Sequence, residues 1–350
     1  MNLHQSTLYL EDVDRALKHV IGIENLCGKI VCITGATGTI GSFVADILIR
    51  FNQQNTPHIK LYLAGRDLRK LHEQFGNYDD VKFLSYDMNN PIKFDAQIDY
   101  VIHAAGNAHP AAFNENPVGT ILGNIKSTFG LLEYLKNHHG KRLLYVSSGE
   151  VYGRGDSLID AFNEEYTGYV DVLSSRSCYP LSKRTAENLC VSYWKQYQVE
   201  TIIVRPCHTY GPCITVTDNR AHAQFFHNAV LGNDIIMKSP GTQLRSYNYV
   251  GDCASALLSA LINGTSGEAY NLANSEIKIT IAQLAREIAK ASGKKVIFEN
   301  PSTLDIANQS PIPKQVLDTK KIEKLGWKPA FSIEEGVYHT LSILKEICCS

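Results

Sequence analysis

An α/β fold, built on a doubly wound parallel sheet with a smaller mixed α/β lobe following it, is what this chain predicts. Two observations carry the prediction. The run Lys29-Ile30-Val31-Cys32-Ile33-Thr34 is short, apolar and rich in β-branched residues, and it leads straight into Gly35-Ala36-Thr37-Gly38-Thr39-Ile40-Gly41 and then a helical pattern. Further runs of the same kind recur at intervals suited to βαβ units, and such alternation implies parallel strands.

The elements follow in order. Residues 1–27 form an extension in which Leu8 to Leu17 reads as a helix; it packs on the core, covers the cleft or mediates assembly, and sequence does not choose among these. After the strand at 29–34 come Lys60-Leu61-Tyr62-Leu63-Ala64-Gly65, Val81 to Tyr86, Tyr100 to Ala105, Arg142 to Ser147, and a sixth strand at Val199 to Arg205. The first domain therefore spans 28–207. Residues 208–350 build mainly the smaller lobe, with returns to the first domain. Within it, Gln243 to Asp252 holds an aromatic strand, Ala269 to Asn274 reads as a late strand of the lobe, and Thr280 to Ala289 has amphipathic helical spacing. Asp318 to Pro329 reads as a helix closed by Gly326.

Composition narrows the function. The 350 residues are 44% hydrophobic with a net charge of -1, enough for a large core and too balanced for a nucleic-acid binder. Nine cysteines without CxxC spacing suggest reduced thiols, and no metal-ligand spacing is present. The absence of a signal peptide or a bilayer-length apolar run predicts a cytoplasmic protein without a membrane partner.

Chemistry enters with Tyr179 and Lys183, one helical turn apart and so on one face. A free tyrosine titrates near ~10 and is a poor base at neutral pH; a neighbouring ammonium is expected to lower that value, each unit being roughly 1.4 kcal/mol. The glycine turn is the other half. Its backbone amides and the helix after it are suited to receive a pyrophosphate.

Taken with His103-Ala104-Ala105-Gly106, Ser147-Ser148-Gly149-Glu150-Val151-Tyr152-Gly153 and Arg205-Pro206-Cys207-His208-Thr209-Tyr210-Gly211-Pro212, these motifs resemble the extended short-chain dehydrogenase/reductases. Nearest are the nucleotide-sugar epimerases, dehydratases and decarboxylases. The resemblance implies a Rossmann domain that binds NAD or NADP and a lobe that binds a nucleotide-diphosphate sugar. By it, Tyr179 takes a proton from the sugar C4 hydroxyl, Lys183 holds the cofactor ribose, and Ser148 hydrogen-bonds the same hydroxyl. Cofactor contacts fall to Gly35, Thr37, Gly38, Thr39, Ile40, Gly41, Ala104 and Ala105, with Asp87 and Met88 flanking adenine. Arg66 favours NADP by reaching a 2′-phosphate; the alternatives are that it stacks on adenine or that Asp67 binds the ribose.

The resemblance also discriminates among reactions. Glu150 matches the dehydratases and the UDP-glucuronate decarboxylases, where a carboxylate acts at C5 once C4 is a ketone. Gly149 stands where dTDP-glucose dehydratases carry an aspartic acid, so that dehydration route lacks its acid. Loss of carbon dioxide needs none, and Arg176-Ser177-Cys178-Tyr179 followed by Lys183 to Glu187 also resembles the decarboxylases. Decarboxylation of a nucleotide-hexuronate is the expected reaction, with 4,6-dehydration and 4-epimerisation as alternatives and a non-catalytic nucleotide-binding regulator as a reading of another class. His208 replaces the family's asparagine, and His109 lies in a segment that departs from its pattern; each either touches substrate or is an ordinary loop residue. Arg245 is expected to grip the diphosphate. Asn124 to Leu135 and Lys183 to Gln196 are the expected homodimer faces.

Overall fold

The computed structural model describes residues 3–349 except 77, 91, 93, 95, 107, 109, 157, 216, 217 and 303–311. Its main sheet takes six strands from the first part of the chain: β1 (Ile30–Thr34), β2 (Lys60–Gly65), β3 (Val81–Ser85), β4 (Tyr100–His103), β5 (Arg142–Val146) and β6 (Glu200–Pro206). β1, β4 and β5 are almost wholly buried, as near-continuous apolar runs covered on both faces should be. Further along the chain come β7 (His208–Tyr210), β8 (Ile235–Met237), β9 (Leu244–Tyr249), β10 (Glu268–Leu272), β11 (Lys278–Thr280), β12 (Val296–Phe298) and β13 (Lys314–Gln315).

The main sheet has seven strands in the order β10-β6-β5-β4-β1-β2-β3, and every pairing in it is parallel. The strand order reverses between β1 and β4. A crevice opens at that switch point, outside the carboxyl ends of both strands. One expectation is corrected here: the late strand belongs to the main sheet and not to the lobe, because β10 pairs with β6 from Glu268↔Ile202 to Leu272↔Pro206. Its buried residues Tyr270, Asn271 and Leu272 read equally well as either strand, and only the partner decides. The lobe proper holds β11-β9-β13 with β7 on β9, beside the pair β12-β8.

The helices are α1 (Thr7–Lys18), α2 (Thr39–Asn52), α3 (Leu68–Phe75), α4 (Pro110–Glu115), α5 (Pro117–His138), α6 (Cys178–Tyr197), α7 (Ala221–Val230), α8 (Val250–Asn263), α9 (Ile281–Ser292), the single turn α10 (Lys320–Glu323) and α11 (Ile333–Cys349). Local signals fix several ends. Pro117 follows the cap Asn116, whose side chain accepts from Gly119 N, and Thr280 and Gln283 form a capping box before α9. The stop at Gly326 is a residue at φ +91°, where an L side chain is strained. Trp327, fully buried, then donates Nε1–H to Ser255 Oγ at 3.0 Å.

Of the three roles open to the N-terminal extension, the structure shows packing on the core. Tyr9, Val13 and Ala16 of α1 are buried against α2 and α8. Asp12, 1% exposed, accepts from Tyr249 Oη at 2.6 Å and lies 2.8 Å from His339 Nδ1 of α11, so α1 ties the end of the chain to the lobe. The hydrogen bond to Asp12 raises the pKa of His339, burial opposes it, and the charge of Asp12 adds to the rise.

A histidine with a raised folded pKa contributes stability that is present below the ordinary value and lost as pH climbs through the raised one. His339→Gln should therefore lower Tm by about 2 °C near pH ~5.5 and by progressively less towards pH ~8.5. Thermal unfolding across that range checks it; a gap independent of pH would contradict the assignment.

Candidate active site

Backbone packing at the glycine turn leaves no room for side chains. A Cβ on Gly35 would lie 2.7 Å from Ala105 N, and one on Gly41 would lie 2.3 Å from Gly35 O. Gly35 also sits at φ +72°. With side chains excluded, Gly38 caps α2 without any side-chain hydrogen bond, and the first amides of a 14-residue helix face the crevice. Gly35, Thr37, Gly38, Thr39, Ile40, Gly41, Ala104 and Arg66 all line this cleft of about 810 Å³. A bare helix N-terminus at the end of a cleft of that size fits the pyrophosphate of a dinucleotide.

Other expected cofactor residues lie differently. Ala105 forms the backbone wall behind Gly35. Asp67 caps α3, its carboxylate accepting from Arg69 N at 3.0 Å, whereas Arg66 is exposed in the cleft beside Lys70. Asp87 accepts from Asn89 N at 2.9 Å, and Met88 packs over Gly123 of α5.

The cleft continues into a smaller cavity of about 140 Å³, the two sharing Ile40, Ala104, Gly106 and Val146 among their walls. Ser148, Glu150, Tyr179, Lys183 and His208 meet there. Tyr179 is the second residue of α6, stacked on Phe113 with ring centroids 4.4 Å apart, and the Ser148 hydroxyl hydrogen-bonds its phenol. Lys183 donates to Val146 O at 2.8 Å, its Nζ lying 5.7 Å from the Tyr179 ring centroid. Both oxygens of Glu150 lie within reach of Arg176, at 3.2 and 3.3 Å, and Arg176 in turn stacks over Phe113 at 4.7 Å.

The expected lowering of the Tyr179 pKa is not what this arrangement produces. Burial, and then the charge of Glu150, push the phenol up to about 12, against the Ser148 hydrogen bond, Arg220 and Arg176. Burial likewise brings Lys183 down to about 8, opposed by Glu187. The physical reason is that spacing put the ammonium on the right face but said nothing of desolvation, which acts on both partners at once.

His208 is held neutral by burial first and then by Arg245, His222 and Arg220. Its Nδ1 has no hydrogen-bond partner among the described residues. Arg245 is 1% exposed and donates to the carbonyls of Leu244 at 3.0 Å and Ile312 at 2.5 Å; its charge reaches His208 and Glu150. His109 lies outside the described residues.

Sequence reasoning missed four residues. Arg176 and Arg220 supply the cavity's nearby positive charge, and Gln315 lines it with its Nε2 unpartnered among the described residues. Asn124, buried in α5, donates to Ser182 Oγ at 2.9 Å and turns an unpartnered Oδ1 towards Gly106, beside Lys183 Nζ. A polar residue on the buried face of a helix was the available signal for Asn124. Arg220 and Gln315 gave none, since loops and a two-residue strand carry no period.

Comparison with known proteins agrees with this geometry. Residues 31–273 match the model of the NAD dependent epimerase/dehydratase family. UDP-glucuronic acid decarboxylase 5 of Arabidopsis thaliana is 32% identical over 88% of this chain and 86% of its own length; decarboxylase 1 of Xenopus tropicalis is 30% identical over 91% and 72%. In fold, the chain is similar to a UDP-glucose 4-epimerase of Thermotoga maritima, with a TM-score of 0.76 at 22% identity over 91% of this chain and 99% of the other. A UDP-glucuronic acid 4-epimerase of Bacillus cereus gives 0.77 at 21%, with the same coverage.

Gly41→Ala tests the cleft directly. The added carbon has to displace the Gly35 carbonyl, so titration with NADH should show affinity reduced by about tenfold or more, in a protein whose circular dichroism is unchanged. Unaltered affinity would mean that the turn is not the dinucleotide site.

Proposed function

We infer, for a chain that belongs to the NAD dependent epimerase/dehydratase family, that it oxidises C4 of a nucleotide-hexuronate and removes C6 as carbon dioxide. A nicotinamide dinucleotide held by the glycine turn would supply the hydride acceptor for C4. Tyr179 takes the proton of the C4 hydroxyl, with Ser148 hydrogen-bonded to its oxygen, and Lys183, one turn further along α6, lines the smaller cavity and donates to Val146, a residue that walls both. The C4 ketone makes the C6 carboxylate a β-keto acid, whose C5–C6 bond breaks with its electrons passing to the enolate. Glu150, oriented by Arg176, is the group placed to relay a proton from solvent to C5 of that enolate, where it takes the place of the departed carboxylate. Tyr179 gives its proton back to the C4 oxygen as the ketone is reduced, which would leave the cofactor as it began.

The observation that carries this reading is Gly149. It lies between Ser148 and Glu150 at the cavity, and a Cβ there would already be 3.3 Å from Gln315 Cδ and 3.5 Å from Pro206 O. A dehydrating aspartic acid is thus absent and Gln315 and Pro206 stand close to where its side chain would begin, whereas decarboxylation requires no acid to expel a hydroxyl. The decarboxylase relatives at 30–32% identity support the same choice, with UDP-glucuronic acid as the substrate.

Two extensions belong to this proposal. Arg66 and Lys70, side by side in the cleft, favour the 2′-phosphate of NADP, while Asp67 is engaged at the start of α3. Val118, Leu122 and Phe129 are exposed on α5, which packs against α6, and form the face through which two copies pair.

Incubation with UDP-glucuronic acid should give a product lighter by about 44 mass units; a loss of about 18 would mean dehydration, and an isomer of unchanged mass would mean epimerisation. Tyr179→Phe should lower kcat by about 10²-fold or more with the dinucleotide still bound. Undiminished turnover would remove Tyr179 from the mechanism. Arg66→Asp should weaken NADP by about tenfold and leave NAD unaffected, as read by parallel fluorescence titrations.

A further inference from the structure

Two walls of the dinucleotide cleft meet at the N-terminal segment. One is α2, whose first residues Thr39, Ile40 and Gly41 line the cleft; the other is the stretch after β7 that contains Pro212, Cys213 and Thr215, of which Thr215 lines it. Thr39 Oγ1 donates to Cys213 O at 3.3 Å and joins the walls near the glycine turn. Tyr9 joins them again further along α2. Its fully buried phenol donates to Asp46 of α2 at 2.5 Å and lies 3.6 Å from Cys213 Sγ, while His4 reaches the other oxygen of Asp46 at 2.8 Å. Leu3 and His4 also wall a cavity of about 150 Å³ that shares Thr37, Gln74 and Thr215 with the cleft.

We propose that the N-terminal segment is a brace on the cofactor site, in which Tyr9, aided by His4, is a positioning residue that fixes the separation of α2 from the Cys213 stretch and slows release of the dinucleotide. The proposal rests on the dinucleotide reading of the cleft. Asp46 is 5% exposed, so parting α1 from α2 strips a buried carboxylate of its donors, and the walls stay at one separation. Chemistry that takes a hydride and gives it back has no need to exchange its cofactor. A brace that retains the dinucleotide suits that cycle.

Tyr9→Phe removes the hydroxyl and keeps the ring, which packs edge-on against Phe43 at 5.5 Å. In stopped-flow displacement of NADH by excess NAD, the dissociation rate should rise about tenfold and Kd with it, while kcat at saturating NAD stays within about twofold. Asp14→Asn is the control. It loosens the same helix pair at the solvent side, where Asp14 accepts from Arg50 at 2.6 and 2.8 Å, and should lower Tm without changing NADH release. An unchanged dissociation rate in Tyr9→Phe overturns the proposal, and so does an equal acceleration in Asp14→Asn, which would assign the effect to packing of α1 alone. Should Tyr9→Phe fail to fold, His4→Gln makes the same comparison, with about a threefold acceleration expected and none overturning the proposal. Failure of the unaltered protein to bind either NADH or NADPH would overturn the dinucleotide reading beneath it.

Discussion

Glu187 is the carboxylate on which the geometry of the site depends. It is 7% exposed, one turn beyond Lys183 on α6, and it accepts from Ser147 Oγ at 2.5 Å and from Arg205 at 2.7 and 3.0 Å. Burial works against the charge of Arg205, but the hydrogen bonds and charge of Glu187 hold it firmly protonated. Arg205 then donates to Tyr152 Oη at 3.0 Å and Glu164 O at 2.8 Å. The end of β5, helix α6, β6 and the segment behind Gly149 are thus fastened to one side chain. Removing one partner of such a buried pair typically costs about 3–5 kcal/mol, because the other charge is left uncompensated.

Around that anchor the cavity is an electrostatic contest. Burial disfavours both a charged phenolate and a charged ammonium, so Tyr179 and Lys183 both move towards their neutral forms. Glu150 reinforces the effect on Tyr179 while Arg176 and Arg220 oppose it. Their balance leaves the phenol sensitive to any positive charge brought close to it.

Much of this was legible in the sequence, and the rest was hidden for specific reasons. The strands at Lys60–Gly65 and Arg142–Val146 announced themselves because burial on both faces demands unbroken apolar runs. The glycine turn was legible because close backbone approach excludes every other residue. Tyr179, Lys183, Ser148 and Glu150 came from motifs, and they do converge. Arg176 sat inside a quoted motif without a role, since its pairing with Glu150 spans 26 positions and no local period reports it. The shift on Tyr179 was misjudged because spacing conveys direction and neighbours but not desolvation. The placement of β10 failed for a related reason: a strand's pattern tells how much of it is covered, not by which neighbour.

That strand has a further consequence for how the molecule is assembled. The edge of β6 beyond β5 is closed only by β10, a segment made after β7, β8 and β9. Until it arrives, the apolar run Ile202-Ile203-Val204 presents open backbone groups to any other extended chain. The nascent polypeptide must hold that edge unprotected while the lobe is synthesised, so the two parts complete one another late and together, at the stage when association between incomplete chains is the main hazard.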